Sequence, residues 1–447
     1  MIFSRIRQFI NGNGPTLKKR VIPRDQHTVS RKEISENALK VLYRLNKAGF
    51  EAYLVGGGVR DVLLGEHPKD FDVATSARPE EVAKVFRNCR LIGRRFRLAH
   101  VLFGSDVVEV ATFRGANDDS PQTEHGMVLR DNVYGTLEQD AERRDFTVNA
   151  LYYNIADFSV VDFTGGLDDL KKRRLRLIGD PEKRFREDPV RMLRAARFAA
   201  KLDFDIEKKT REPIPELAGL LHNVSNARLW DESAKLFLSG YGEACFHQLD
   251  QLGLFAALFP ATSKALKKAP QWQAMFDAAL RNTDQRIAEE KGVNPAFLFA
   301  VLLWPVLQHN LQKRLDRGQH PAPAMQAAAT DVLDEQNRYI AIARRFALVI
   351  REMWSLQHRF ESRTPARVDK LSSHPRFRAA FDLLCLRAES ETELKPLADW
   401  WQQYQDADES ARIELIKGAT QGTKNSNGPR TRRPRKRTAR RAPKPST

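Results

Sequence analysis

Two acids alternate with two apolar residues in Lys69-Asp70-Phe71-Asp72-Val73. Side chains along an extended chain point to opposite faces in turn. Phe71 and Val73 can therefore enter a core while Asp70 and Asp72 stand together on the other face. Two carboxylates held so close repel, and a divalent cation relieves that repulsion. Mg2+ suits the task because it takes oxygen ligands, keeps waters and accepts phosphates. Lys69 comes twelve residues after Gly57, inside Leu54-Val-Gly-Gly-Gly-Val-Arg-Asp61. There a strand, Ala52–Val55, is expected to run through Gly56, Gly57 and Gly58 into a short helix, Val59–Leu64, stopped by Gly65. Consecutive glycines let backbone approach a ligand, and a helix start offers N–H groups to phosphate. A glycine turn beside an acid-bearing strand demands a mixed α/β layer.

Positioning two metal ions needs a third acid, and two candidates stand in the sequence. Glu109 is an isolated acid in the apolar strand Val107-Val108-Glu109-Val110, and Asp145 lies in Arg143-Arg144-Asp145-Phe146. Spacing alone does not choose between them. Glycine turn, paired strand acids and a third carboxylate form the pattern of a nucleotidyltransferase palm, which works by two-metal phosphoryl transfer. Charge spread over phosphate oxygens calls for cations around the site, and Arg60, Lys69, Arg94, Arg95, Arg143 and Arg144 are the candidates.

The flanking pattern is α/β up to Phe113. A capping box at Ser30 and Glu33 predicts a helix from Ser30 to Gly49, carried by Ile34, Ala38, Val41, Leu42 and Leu45. Strand Phe71–Thr75, helix Pro79–Arg87 and a hairpin of Val101–Phe103 with Val107–Phe113 follow. From Asp188 onward the pattern is helical, over Asp188–Lys201, Leu229–Ser239, Pro295–Val306, Met325–Glu352 and Arg376–Arg387. Thr262–Lys268 and Lys313–Ala324 fit either loops or helix ends. Tyr152, Tyr153, Phe198 and Trp304 read as core, and His100 and His125 as structural or exposed. Arg191, Arg194 and Arg197 form one helix stripe, either phosphate-facing or solvated.

The whole chain carries +17, of which ten basic residues lie between Gln421 and Thr447, leaving 17 − 10 = +7 elsewhere. A Pro- and Thr-rich segment with that charge is expected to be disordered and to bind polyanions. No apolar run is long enough for a membrane span, which excludes an integral membrane protein. The three cysteines, Cys89, Cys245 and Cys385, are far apart and suggest reduced thiols in a cytoplasm. The expected plan is a basic N-terminal arm (1–30), a catalytic head (31–165), a helical neck (166–260), a helical body (261–417) and a disordered basic tail (418–447). The expected fold class is an α/β nucleotidyltransferase head, a mixed sheet with flanking helices, followed by an all-α neck and body and that tail.

The runs LVGGGVRDVLLG, PKDFDVAT, RRDFTVNALYY and EDPVRMLRAARFAAKL resemble the class II nucleotidyltransferases, which include tRNA CCA-adding enzymes and bacterial poly(A) polymerases. The motifs occur in the family's order over about residues 35–260. Leu91-Ile-Gly-Arg-Arg-Phe-Arg-Leu98 is similar to the signature that sets poly(A) polymerases apart, and HPRFRAAFDLLCLRAE points the same way. The resemblance implies metal ligation by Asp70 and Asp72. It matches Asp145 to a further active-site aspartate and Glu109 to the third carboxylate of the wider superfamily. It implies base reading by Glu187, Asp188 and Arg191, and ATP binding by these with Gly56, Gly57, Gly58, Arg60, Lys69, Arg94, Arg95 and Arg144. It further implies two Mg2+ ions, replaceable by Mn2+, ATP as substrate, and mRNA and other RNA 3′ ends as partners with little sequence preference. The rival expectations are a CCA-adding enzyme and a non-catalytic RNA-binding protein.

Overall fold

The computed structural model of the chain describes residues 19–93, 97–115 and 133–426. Arg94, Arg95, His125, most of the N-terminal arm and the basic run beyond 426 lie outside them. The described chain divides into two compact units.

The first unit holds an eight-stranded sheet. Its strands are β1 (Arg20–Ile22), β2 (Ala52–Val55), β3 (Asp72–Thr75), β4 (Cys89–Ile92), β5 (Leu98–Phe103), β6 (Asp106–Thr112), β7 (Leu151–Asn154) and β8 (Val160–Asp162). Their order is β1-β8-β7-β2-β3-β6-β5-β4, and β3 with β6 is parallel while the other pairs are antiparallel. Apolar alternation gives the sheet two buried faces at its centre. One buries Val73, Val101, Val108 and Val110 on the side of α1 (Glu36–Lys47). The other packs Val55, Ala74, Phe113, Tyr152 and Val161 against Leu137 and Ala141.

The first helix differs from its sequence reading. Ser30 caps only the single turn Arg31–Glu33, and Ser35, whose Oγ accepts from Ala38 N at 3.2 Å, caps α1. Both serines carry cap chemistry, and burial of Ala38, Val41, Leu42 and Leu45 selects the register that begins after Ser35. The glycine turn feeds α2 (Gly57–Leu63), and the acid strand is followed by α3 (Pro79–Val85). On the opposite face lies α4 (Leu137–Arg143), capped by Thr136, whose Oγ1 accepts from Gln139 N. The unit continues into α5 (Pro181–Glu187), α6 (Val190–Leu202) and α7 (Asn226–Phe237).

The second unit is helical. Its core gathers Leu356, Phe360, Val368, Phe377, Phe381, Leu384 and Trp401, and Trp401 Nε1 donates to Phe360 O at 3.0 Å. Trp304 is fully buried. The expected helix Pro295–Val306 is instead two, Pro295–Leu302 and Trp304–Asp316, because Pro305 lacks an N–H and its ring blocks a continuous helix.

Another expected helix, Met325–Glu352, breaks into Pro321–Gln336 and Arg344–Leu356. Asn337 makes the break, its Oδ1 accepting from Ile342 N at 2.8 Å. Thr262–Lys268 is part of the helix Pro260–Lys268, and Lys313–Ala324 joins two helix ends. The helix Glu409–Ser426 runs past 418, where the tail is expected to begin.

Candidate active site

The site forms where β2, β3 and β6 present their ends to the glycine turn. Gly56 has φ +77°, a conformation that side chains disfavour. A Cβ there would lie 3.6 Å from Arg144 Nη1 and 3.9 Å from Asp72 Oδ2, so turn, carboxylate and guanidinium converge at one point. Gly58 serves a different need. A Cβ on it would meet Phe71 at 3.0 Å and Asp70 O at 3.3 Å, so its absence lets α2 press against the acid segment.

Phe71 and Val73 enter the core as the alternation predicts. The strand itself begins only at Asp72, which leaves Asp70 and Lys69 exposed in the approach to it. In the parallel pair, Val73 stands opposite Val110. One residue back along both strands, Asp72 stands beside Glu109 on the same face. The electrostatics agree with this placement. Asp72 keeps solvent access, yet burial by the surrounding protein, then Glu109 and Asp70, push its carboxyl up to about 6 against the pull of Arg144. Uncompensated negative charge on oxygen donors is what a divalent cation satisfies. The three acids do not close into a ready cage, since their oxygens do not all lie within 4.8 Å of one another. Water and phosphate oxygens would complete the coordination, as Mg2+ prefers.

Arg144 is fixed from behind. Its Nε donates to Tyr152 OH at 2.9 Å and to Asp140 Oδ2 at 3.3 Å, and Tyr152 OH donates to the same Asp140 oxygen at 2.7 Å. Burial opposes the Arg144 charge, but Tyr152 and Asp140 outweigh it and hold the guanidinium firmly protonated. Arg143 donates to Gly115 O. Burial and the neighbouring Arg114, Arg184 and Arg191 bring Arg143 down to about 10. Burial and Arg191 do the same to Arg184. Such crowding of guanidiniums is the kind of surface that suits phosphate.

Two expected ligands sit elsewhere. Arg60 is 2% exposed, donating to Asp61 Oδ1 at 2.7 Å and to Asn149 Oδ1 at 2.6 Å, with its guanidinium 5.4 Å from the Phe198 ring centre. It braces α2 against α6 and does not face solvent. Asp145 turns away from its neighbour Arg144 and pairs with Arg194 Nη2 at 2.5 Å. Burial alone would raise the Asp145 carboxyl, but Arg194, the Phe146 N–H and Asn149 bring it down to about 2. Two members of the stripe on α6 are engaged within the protein: Arg194 is paired with Asp145, and Arg197 lies over Phe198 at 4.6 Å.

Glu187, Asp188 and Arg191 cluster where α5 meets α6. Arg191 Nη1 reaches Glu187 Oε2 at 3.1 Å, and Arg228 of α7 grips both oxygens of Asp188 at 2.9 and 2.8 Å. Asp188 also accepts from Val190 N at 3.3 Å and so caps α6. Arg184 ties this cluster to the catalytic segment, donating to Arg143 O at 2.7 Å and Arg144 O at 2.8 Å while pairing with Glu187. Sequence reasoning missed Arg184, Arg228, Asp140 and the polar role of Tyr152. Arg184 and Asp140 had local signals, spacings of three from Glu187 and four from Arg144.

Strand acids facing a glycine turn and an arginine cluster can hold a nucleoside triphosphate. This is the build of a nucleotidyltransferase. Three family models match the chain: "Poly A polymerase head domain" over residues 52–176, "Probable RNA and SrmB- binding site of polymerase A" over 203–266, and "Polymerase A arginine-rich C-terminus" over 317–441. The poly(A) polymerase I of Salmonella typhi is 52% identical over 435 residues, covering 94% of this chain and 93% of that protein. The CCA-adding enzyme of Lactobacillus helveticus is 40% identical over 211 residues, 47% of this chain and 51% of that enzyme. A solved tRNA-processing enzyme shares the fold at a TM-score of 0.58 and 22% identity, over 85% of this chain and 99% of that one. The chain belongs to the bacterial poly(A) polymerase I family. It is a polynucleotide adenylyltransferase.

Proposed function

We propose that the chain transfers AMP from ATP to RNA 3′ ends without a template, releasing pyrophosphate. The observation that carries the site is the register of β3 with β6, which sets Glu109 beside Asp72 and leaves Asp72 with its carboxyl pushed up to about 6. Asp70, Asp72 and Glu109 would hold two Mg2+ ions, or Mn2+ in their place. When bound, these lower the pKa of the attacking hydroxyl and neutralise the triphosphate. Arg144, aimed at Gly56 and Asp72, steadies the phosphates, and Lys69 stands exposed at the approach to the same strand. The RNA 3′-hydroxyl attacks the α-phosphorus in line, so no covalent enzyme adduct forms. Asp145 is left out of the metal set because Arg194 already neutralises it.

Glu187, Asp188 and Arg191 supply the carboxylate acceptors and guanidinium donor that read the edge of a purine. Bracing by Arg184 and Arg228 keeps that surface in one shape, which suits repeated addition of one nucleotide. The match over residues 203–266 and the basic balance of the chain support RNA held by its backbone, with little sequence preference. The cysteines Cys89, Cys245 and Cys385 form no disulfide. No helix among the described residues is long and apolar enough to cross a membrane. Both fit work in the cytoplasm.

The test is nucleotide choice. Purified protein with Mg2+ and an unstructured RNA primer is given each NTP separately and the products are resolved on a gel. Long ladders with ATP alone are expected. Addition of two C and one A to a truncated tRNA, with no primer extension, would establish a CCA-adding enzyme instead.

A further inference from the structure

One polar side chain beside the carboxylates has no task in this scheme. His100 lies in β5 and is the direct cross-strand partner of Glu109 in β6. Its Nε2 is 3.4 Å from Glu109 Oε1. That nitrogen is sealed from solvent and makes no hydrogen bond. A buried polar atom without a hydrogen bond is costly, so its position calls for an explanation. The same register sets Arg90 of β4 opposite His100, so Arg90, His100, Glu109 and Asp72 form one row across four strands. Within the row exposure differs: the Glu109 side chain is 50% exposed and that of His100 only 21%. The carboxylate has open space on its solvent side, while the imidazole is largely enclosed.

We propose that His100 is a positioning residue for Glu109. When the carboxylate takes up a divalent cation, the His100 Nε2–H donates to Oε1 and fixes which oxygen faces the ion. Closing the 3.4 Å gap needs only a small rotation of the exposed Glu109 side chain. Hydrogen bonds of this kind are commonly long before ligand binds. Outer partners orient metal-binding carboxylates, and losing one lowers metal affinity about 10–100-fold. The inference rests on the reading of Glu109 as a metal ligand.

The experiment is a Mn2+ titration of the full chain at one fixed pH, followed by the electron paramagnetic resonance signal of unbound ion. Wild type is compared with His100→Ala, His100→Gln and Glu109→Gln, and thermal melts check each fold. His100→Leu, which keeps bulk without a donor, replaces His100→Ala should the latter not fold. Glu109→Gln is expected to weaken Mn2+ binding most. His100→Ala should raise the dissociation constant about tenfold, and His100→Gln, which keeps an N–H donor, should recover most of it. Wild-type affinity in His100→Ala alongside a weakened Glu109→Gln would overturn the role of His100 alone. Wild-type affinity in Glu109→Gln would overturn the Glu109 reading itself, and this inference with it.

Discussion

Replacing Asp72 with Asn is expected to abolish AMP transfer and yet make the protein more stable. Burial, Glu109 and Asp70 raise the Asp72 carboxyl from its ordinary 3.8 to about 6. A carboxyl raised by folding binds its proton more tightly in the native state. The native state is therefore penalised as pH rises from the unfolded value toward the folded one, and the penalty is complete above about 6. That displacement would be worth ~3 kcal/mol at full value. Asp72 is exposed, however, and screening by solvent reduces the figure to about 1 kcal/mol. Asn keeps the shape and removes the charge. Urea unfolding in metal-free buffer near neutral pH should show the variant more stable by about that 1 kcal/mol. The advantage should shrink as pH falls through 6 toward 4, around the two carboxyl values. Added Mg2+ should stabilise wild type by mass action and leave the variant unmoved. A variant no more stable than wild type at neutral pH would refute the argument, since the carboxylates would then not be straining against one another.

Asp145→Asn should do the opposite, losing about 3–5 kcal/mol in urea unfolding because Arg194 is left without its anion in a mostly buried setting. The Asp145 contribution is present above its unfolded value near 4 and is lost as pH falls through about 2, so the gap between wild type and variant should be full above about 4 and close as pH falls toward 2. Arg228→Ala frees Asp188 from its two-point grip, and steady-state kinetics should show KM for ATP raised about tenfold with kcat less affected, the mark of weakened binding. Gly56→Ala puts a Cβ beside Arg144 and Asp72 at a positive φ. Thermal melts should show a loss of about 1–3 kcal/mol, and primer extension a fall of at least about 100-fold, since small misplacements cost that much in rate.

The acid strand was legible because period-two alternation is a local signal. Phe71 and Val73 reach the core as that alternation requires. That Glu109 stands beside Asp72 while Asp145 pairs with Arg194 was not legible, because it depends on the register of β6 on β3 and on a helix far along the chain. Adjacent residues then diverge: Arg144 faces the glycine turn while Asp145 faces α6. Arg60 misled for a related reason. It follows the glycines directly, but one turn of α2 carries it inward to Asn149. Helix breaks at Pro305 and Asn337 were hidden under apolar spacing that continues across them. The bonds of Arg184 to the Arg143 and Arg144 carbonyls, and of Arg228 to Asp188, join segments that only folding brings near, and composition carries no trace of that.

The most direct test of the account is anomalous diffraction from crystals soaked with Mn2+ and a non-hydrolysable ATP analogue. The account predicts Mn2+ peaks against Asp70, Asp72 and Glu109, with Asp145 still bound to Arg194. A peak on Asp145, with Glu109 turned away from the ions, would contradict it.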